Sequence, residues 1–222
     1  LAGREVTARF DGGDLTSDAG VALLAAADRQ AGVTAALAGA LVDRRDPAKV
    51  KHPLALLLQE RIYAIAQGYE DANDLDRLRD DPALKLACGR LPRTGEALAS
   101  QPTLSRLENA VTPREVRALA LALAERVVAQ LPADTPAVVL DVDATDDPCH
   151  GQQQFECFNA CYDAHCYLPL LLYVTGPDGR QRLLFALLRP GNLKGTQGLS
   201  TLLKWAIRLL RARFPGVQLL LR

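Results

Sequence analysis

The hydrophobic period of this 222-residue chain changes once, near Pro132, and that change limits the fold more than any other feature. Before it, apolar residues recur at spacings of three and four, which places them on one face of a helix. After it, short β-branched and apolar runs alternate with turn residues, as strands do. The reading is an α/β chain, with a mostly helical region at 1–132 followed by a mixed-sheet region at 133–222. The length suffices for one large domain or two small ones.

Within the first region, residues 4–10 alternate as a short strand does, and Asp11-Gly12-Gly13-Asp14 follows as a turn. Thr16, Ser17 and Asp18 are N-cap candidates for a helix through residues 21–27 that Gly32 can close. Residues 53–67 predict an amphipathic helix ended by Gly68. Residues 71–79, 82–88, 103–109 and 113–130 also read as helices, and 89–102 as a loop. In the second region, residues 137–143 predict a strand buried on both faces. Residues 168–175 and 182–188 form a hairpin about Gly176-Pro177-Asp178-Gly179, a helix follows at 199–213, and a last strand at 217–221. A helix between two strands implies a crossover that sets the last strand parallel to a neighbour.

Composition excludes little. Lys and Arg total 26, as do Asp and Glu, so net charge argues neither for nor against a polyanionic partner. No apolar run is long enough to cross a bilayer and no basic-then-apolar leader opens the chain, so the setting expected is cytoplasmic, with no membrane partner. Four of five cysteines crowd into residues 149–166, which suits reduced thiols better than a disulfide framework. The chain opens at Leu1 without a methionine and stops at Arg222 inside an apolar run, which reads as a chain cut at both ends.

The chemistry concentrates after the 137–143 strand. Asp141, Asp143, Asp146 and Asp147 lie at its carboxyl end, where open α/β sheets place ligands. Asp141 and Asp143 share a face of the strand, so both could meet one hard cation. Asp146-Asp147-Pro148 reads as a solvated turn.

Several motifs occur in one order: Asp14-Leu15-Thr16-Ser17-Asp18-Ala19-Gly20, Gly68-Tyr69-Glu70-Asp71, Leu78-Arg79-Asp80-Asp81-Pro82 and Thr103-Leu104-Ser105-Arg106-Leu107-Glu108-Asn109. Leu140 to Pro148, His150-Gly151, Tyr167-Leu168-Pro169-Leu170 and Leu188-Arg189-Pro190-Gly191-Asn192 continue the series. Together they resemble one branch of the DDE transposases of bacterial insertion sequences, over nearly the whole chain.

That resemblance implies a ribonuclease-H-like core, here truncated, in which a first Asp on strand one, a second Asp after strand four and a later Glu hold two divalent ions. It implies Asp143 as the first carboxylate, with Asp141 the alternative ligand, and Mg²⁺ or Mn²⁺ as cofactor. It also implies metal-dependent cleavage and transfer of double-stranded DNA at insertion-sequence ends by a homo-oligomer, and a helical region for end-DNA binding or dimer contacts. Strand four would fall at 217–221, so the second Asp and the Glu would lie past Arg222 and the chain alone would be inactive. Relatives follow His-Gly with Gln-Glu-Gly, whereas Gln153-Gln154-Phe155 stands here, without the acid and the glycine.

Other residues carry competing readings. Lys204, Arg208 and Arg211 share a helix face, which could contact phosphates or be a solvated face. Arg189 and Lys194 flank the Pro190-Gly191-Asn192 turn, as phosphate contacts or as an exposed loop. Trp205 reads as core. Cys149, His150, Cys157, Cys161, His165 and Cys166 supply enough ligands for zinc, but without a Cys-x₂-Cys pair they read better as free cysteines. Two rivals to the transposase reading follow: a non-catalytic DNA-binding or regulatory remnant, and a small zinc-stabilised binding module.

Overall fold

The computed structural model describes Gly13 and residues 15–151, 153–193 and 195–222. The strand expected at 4–10, most of the turn after it, and Lys194 lie outside the described residues. The chain forms two compact units, Leu1–Val116 and Arg117–Arg222.

The first unit holds helices α1 (Val21–Ala31), α2 (Val33–Gly39), α3 (Leu54–Ala66), α4 (Leu75–Leu78), α5 (Pro82–Ala87) and α6 (Gln101–Ala110). Tight 3-10 turns lie at Pro47–Lys49 and Ala72–Asp74, the second splitting the helix expected at 71–79. Gly32 closes α1 as expected, at φ 66°, a left-handed conformation that costs a glycine little. The expected cap at the other end does not form, because the hydroxyl and carboxylate go elsewhere. Thr16 Oγ1 accepts the Asp18 N–H, and the Asp18 carboxylate accepts from Ser17 Oγ and Tyr69 Oη. Gly20 stands at the N-cap without a side-chain hydrogen bond.

Helix α7 (Pro113–Ala129) contains the division between the units. Its first turn is closed reciprocally: the Thr112 N–H donates to Glu115 Oε2 at 3.0 Å, and the Glu115 N–H to Thr112 Oγ1 at 3.3 Å. Beyond Val116 it packs with the second unit, where Ala124 and Val128 join the core. The boundary between compact units thus lies upstream of the change in period, because a helix supplies one layer over the sheet.

That sheet contains β1 (Ala137–Ala144), β5 (Leu170–Thr175), β6 (Gln181–Leu187) and β7 (Gln218–Leu221) in the order β6-β5-β1-β7. β5 and β6 form the expected antiparallel hairpin, β1 pairs antiparallel with β5, and β7 runs parallel to β1 after α8 (Leu199–Arg213). The fold is α/β with a mixed sheet; the last strand runs parallel to a neighbour as expected, and that neighbour is β1. Val138, Leu140, Leu170, Leu172 and Val174 form the core with Leu202, Ala206 and Leu210 of α8. A bulge at Leu172/Tyr173 lets the neighbouring residues Leu184 and Phe185 both be buried.

Between β1 and β5 the chain makes a second sheet, β2 (Asp147–Pro148), β3 (Cys157–Asn159) and β4 (Ala164–Tyr167), in the order β2-β4-β3. Asp147 and Pro148 therefore pair with Tyr167 and Cys166, so a short strand stands where a turn was expected, while both residues are solvent-exposed as expected. Among the described residues, no single helix is long and apolar enough to cross a membrane.

Candidate active site

Strand β1 is the strand of the larger sheet with partners on both edges that carries acids at its carboxyl end. Val138, Leu140 and Asp141 are buried, Val139 and Val142 half-buried, and Ala137 and Asp143 exposed, so β1 is less enclosed than expected. Alternation sends Val138 and Leu140 into the core and Asp141 and Asp143 to the opposite face.

The two acids have different surroundings. Asp141 is 8% exposed; Arg222 Nε donates to its Oδ1 at 2.5 Å and Gln181 Nε2 to its Oδ2 at 3.3 Å. Asp143 has no hydrogen bond or ion pair among the described residues. Parallel pairing reaches just this far: the Val142 N–H donates to the Arg222 carbonyl at 3.1 Å, and the Arg222 N–H to the Leu140 carbonyl at 2.9 Å. Tyr162 Oη, in the small sheet, lies 3.5 Å from the Ala144 carbonyl that it faces as donor.

Asp143 fits one oxygen ligand's share of a hard-cation site, and Asp141 joins it only if Arg222 moves. No group of three or more His, Cys, Asp or Glu placed to hold an ion occurs among the described residues. The same holds for the 149–166 cluster. Cys157 and Cys166 face each other across β3 and β4, but burial, and next the Asp146 carboxylate, push the Cys166 thiol up. Burial and then Glu156 do the same at Cys149. A protonated thiol is a poor zinc ligand.

The basic candidates divide. Lys204, Arg208 and Arg211 are exposed on the face of α8 away from Leu202, Ala206 and Leu210, with no ion pair among the described residues. Arg189 is 3% exposed, so the reading as a phosphate contact or exposed loop residue is corrected. Its Nε donates to the Leu168 carbonyl at 2.8 Å and its Nη1 to the Gly195 and Gln197 carbonyls at 3.0 and 2.8 Å, so it ties the 190–197 loop to the sheet. Trp205 is half-buried as core, edge-on to Phe185 at 5.8 Å with Arg117 stacked 4.8 Å from its ring.

Three features escaped sequence reading. The Arg222 and Gln181 contacts to Asp141 span 81 and 40 residues, and no local pattern announces them. Gly191 is wedged into the small sheet, where a Cβ would stand 2.3 Å from the Cys166 carbonyl oxygen and 2.5 Å from that of Cys157. The Pro-Gly-Asn motif, visible in the sequence, marked the place but not this reason. Phe155 takes φ 65°, a left-handed conformation unusual for a bulky side chain, while 70% exposed.

No curated protein and no solved structure matches the chain. The family model described as transposase DDE domain group 1 matches residues 1–222. With an exposed acid at the end of the central strand and a match along its whole length, the chain belongs to the DDE-type transposases.

Proposed function

We propose that this chain supplies the first catalytic carboxylate and part of the DNA-binding surface of an insertion-sequence transposase that cleaves and transfers DNA strands. The observation that carries this reading is Asp143, exposed at the end of the inner strand β1 and without a hydrogen bond or ion pair among the described residues. Region 133–222 is the catalytic core, and 1–132 serves end-DNA binding or contacts within a homo-oligomer in the cytoplasm.

Asp143 would hold a divalent ion, Mg²⁺ or Mn²⁺, with Asp141 the alternative. When bound, such ions would supply activation of water or a DNA 3′-hydroxyl and stabilisation of the leaving oxygen. The protein's own part is separable from that chemistry. Asp143 presents a carboxylate that needs no partner displaced, Arg222 holds Asp141 in the sheet, and Lys204, Arg208 and Arg211 offer charge to DNA phosphates. A site for two ions would need ligands from several strand ends. With no group of three or more ligand residues placed to hold an ion among the described residues, these 222 residues alone are expected not to cleave DNA, which also suits a non-catalytic DNA-binding role.

The test is end cleavage and strand transfer on the ends of the element that encodes the chain, using the complete transposase. Asp143→Asn should abolish both reactions and leave DNA binding largely intact, while Asp146→Asn should be milder. Full activity of Asp143→Asn, or robust metal-dependent cleavage by the 222 residues alone, would show the site to be elsewhere.

A further inference from the structure

We propose that the helical unit carries a phosphate-binding cleft, built by Lys49, Lys51, His52, Arg79, Ser100 and Thr103, whose occupant is a backbone phosphate of duplex DNA. This rests on the DNA reading above and adds a contact remote in sequence from the carboxylate strand. The residues come from the 3-10 turn at Pro47–Lys49, the approach to α3, the end of α4 and the start of α6. They surround a cleft of about 350 Å³ that Arg45 also lines and no carboxylate does.

The cations differ in how far they are already paired. Arg45 is bound through Nε and Nη2 to Asp43 at 2.7 and 2.6 Å, so its charge is largely satisfied. Lys49 shares its charge loosely with Asp46 at 3.8 Å. Lys51 is exposed and has no ion pair among the described residues. Arg79 has none either, and its Nε is shut off from solvent without a hydrogen-bond acceptor. A buried guanidinium N–H left so is costly, and a phosphate oxygen is the acceptor that guanidinium geometry suits.

The neutral groups are donors too. His52 is 8% exposed, and its Nδ1 lies 3.1 Å from Arg90 Nη2. A guanidinium can only donate, so Nδ1 accepts and the ring proton sits on Nε2 as a donor. Burial, then Arg90 and Lys51, hold the imidazole below its ordinary range and keep it neutral. Ser100 Oγ and Thr103 Oγ1 are 3.2 Å apart and share one hydrogen bond, which leaves a hydroxyl hydrogen to offer. The acids nearby do not cancel this. Asp76 accepts the Gln101 N–H at 2.9 Å, and burial pushes Glu60, the acid whose charge Arg79 and Arg90 oppose, up to about 7. Two cations that make no ion pair among the described residues, with imidazole and hydroxyl donors, suit a tetrahedral oxyanion.

The experiment titrates the full 222-residue chain against a fluorescein-labelled mixed-sequence duplex from about 50 to about 200 mM KCl. Lys51→Ala removes an exposed side chain and should not disturb folding; Arg79→Gln is checked by circular dichroism. Each should weaken binding severalfold whatever the sequence and lower the log–log salt slope by about one. Slopes unchanged in both variants would overturn the cleft while leaving the DNA reading in place. No duplex binding by the parent chain at low salt would overturn the DNA reading and, with it, DNA as the occupant of the cleft. Calorimetric titration with inorganic phosphate is the second arm: phosphate binding that Lys51→Ala abolishes, without duplex binding, would make free phosphate the occupant and overturn DNA.

Discussion

Glu60 lies in α3 with no exposed surface, and its substitution tests how the helical unit tolerates a buried acid. Its Oε2 accepts the Ala99 N–H at 2.9 Å, while Oε1 has no hydrogen-bond partner. Burial pushes the carboxyl from its ordinary 4.5 up to about 7, against the pull of that N–H and of Arg90 and Arg79. A difference of about 2.5 units corresponds to about 3 kcal/mol. Because the folded-state value is the higher one, the folded chain keeps a proton that the unfolded chain has shed. Stability from this group is therefore full below about pH 4.5, falls as pH rises, and levels off above about pH 7. Glu60→Gln imitates the protonated acid and keeps an oxygen for Ala99. Urea unfolding followed by far-ultraviolet circular dichroism should give the variant and parent equal stability near pH 4.5, with the variant about 3 kcal/mol more stable at pH 8. A variant equally destabilised at both pH values would refute the reasoning, since a pH-independent loss would mean that the folded carboxyl keeps its ordinary pKa.

Gly191→Ala should cost about 1–3 kcal/mol, because the added Cβ meets two backbone carbonyl oxygens that cannot rotate away; thermal unfolding followed by Trp205 fluorescence measures it, and an unchanged midpoint would contradict the close approach. Phe155→Gly should stabilise the same unit slightly. It relieves about 1–2 kcal/mol of left-handed strain, loses about 0.5–1 kcal/mol to glycine's freedom in the unfolded chain, and gives up little packing at 70% exposure; a lowered midpoint would count against it.

What the sequence made legible was local. Helical and strand periods repeat within a dozen residues, so α3, α7, α8 and the strands of the larger sheet could be placed from apolar spacing alone, and Gly32 marked a helix end because few other residues tolerate its φ. The small sheet was not legible, since strands of two, three and four residues are too short to show a period. The cap of α1 failed for a different reason. Asp18 has the right chemistry for it, but its oxygen is taken by Tyr69, 51 residues away. Arg189 looked like a surface cation because it flanks a Pro-Gly turn, and only the tertiary fold supplies the carbonyls that make its burial tolerable.

The same limit applied to the two acids on β1. Their spacing puts them on one face, and nothing local separates them. The sheet does so through the length of its pairings. β5 flanks β1 as far as Ala144, with Leu171 opposite Asp143, but the parallel neighbour reaches Leu140 through Leu221 and Val142 through the Arg222 carbonyl. Asp141 therefore has strand on both sides and receives Arg222 from one neighbour and Gln181 from the hairpin. Asp143 stands about 7 Å further along, beyond the last hydrogen bond on the β7 edge. Near-complete burial makes the charge at 141 one that the fold must neutralise, and the end of pairing makes the charge at 143 one that it need not. Among the described residues, a cation could therefore reach the Asp143 carboxylate without displacing a hydrogen bond, whereas at Asp141 it would have to displace Arg222 or Gln181.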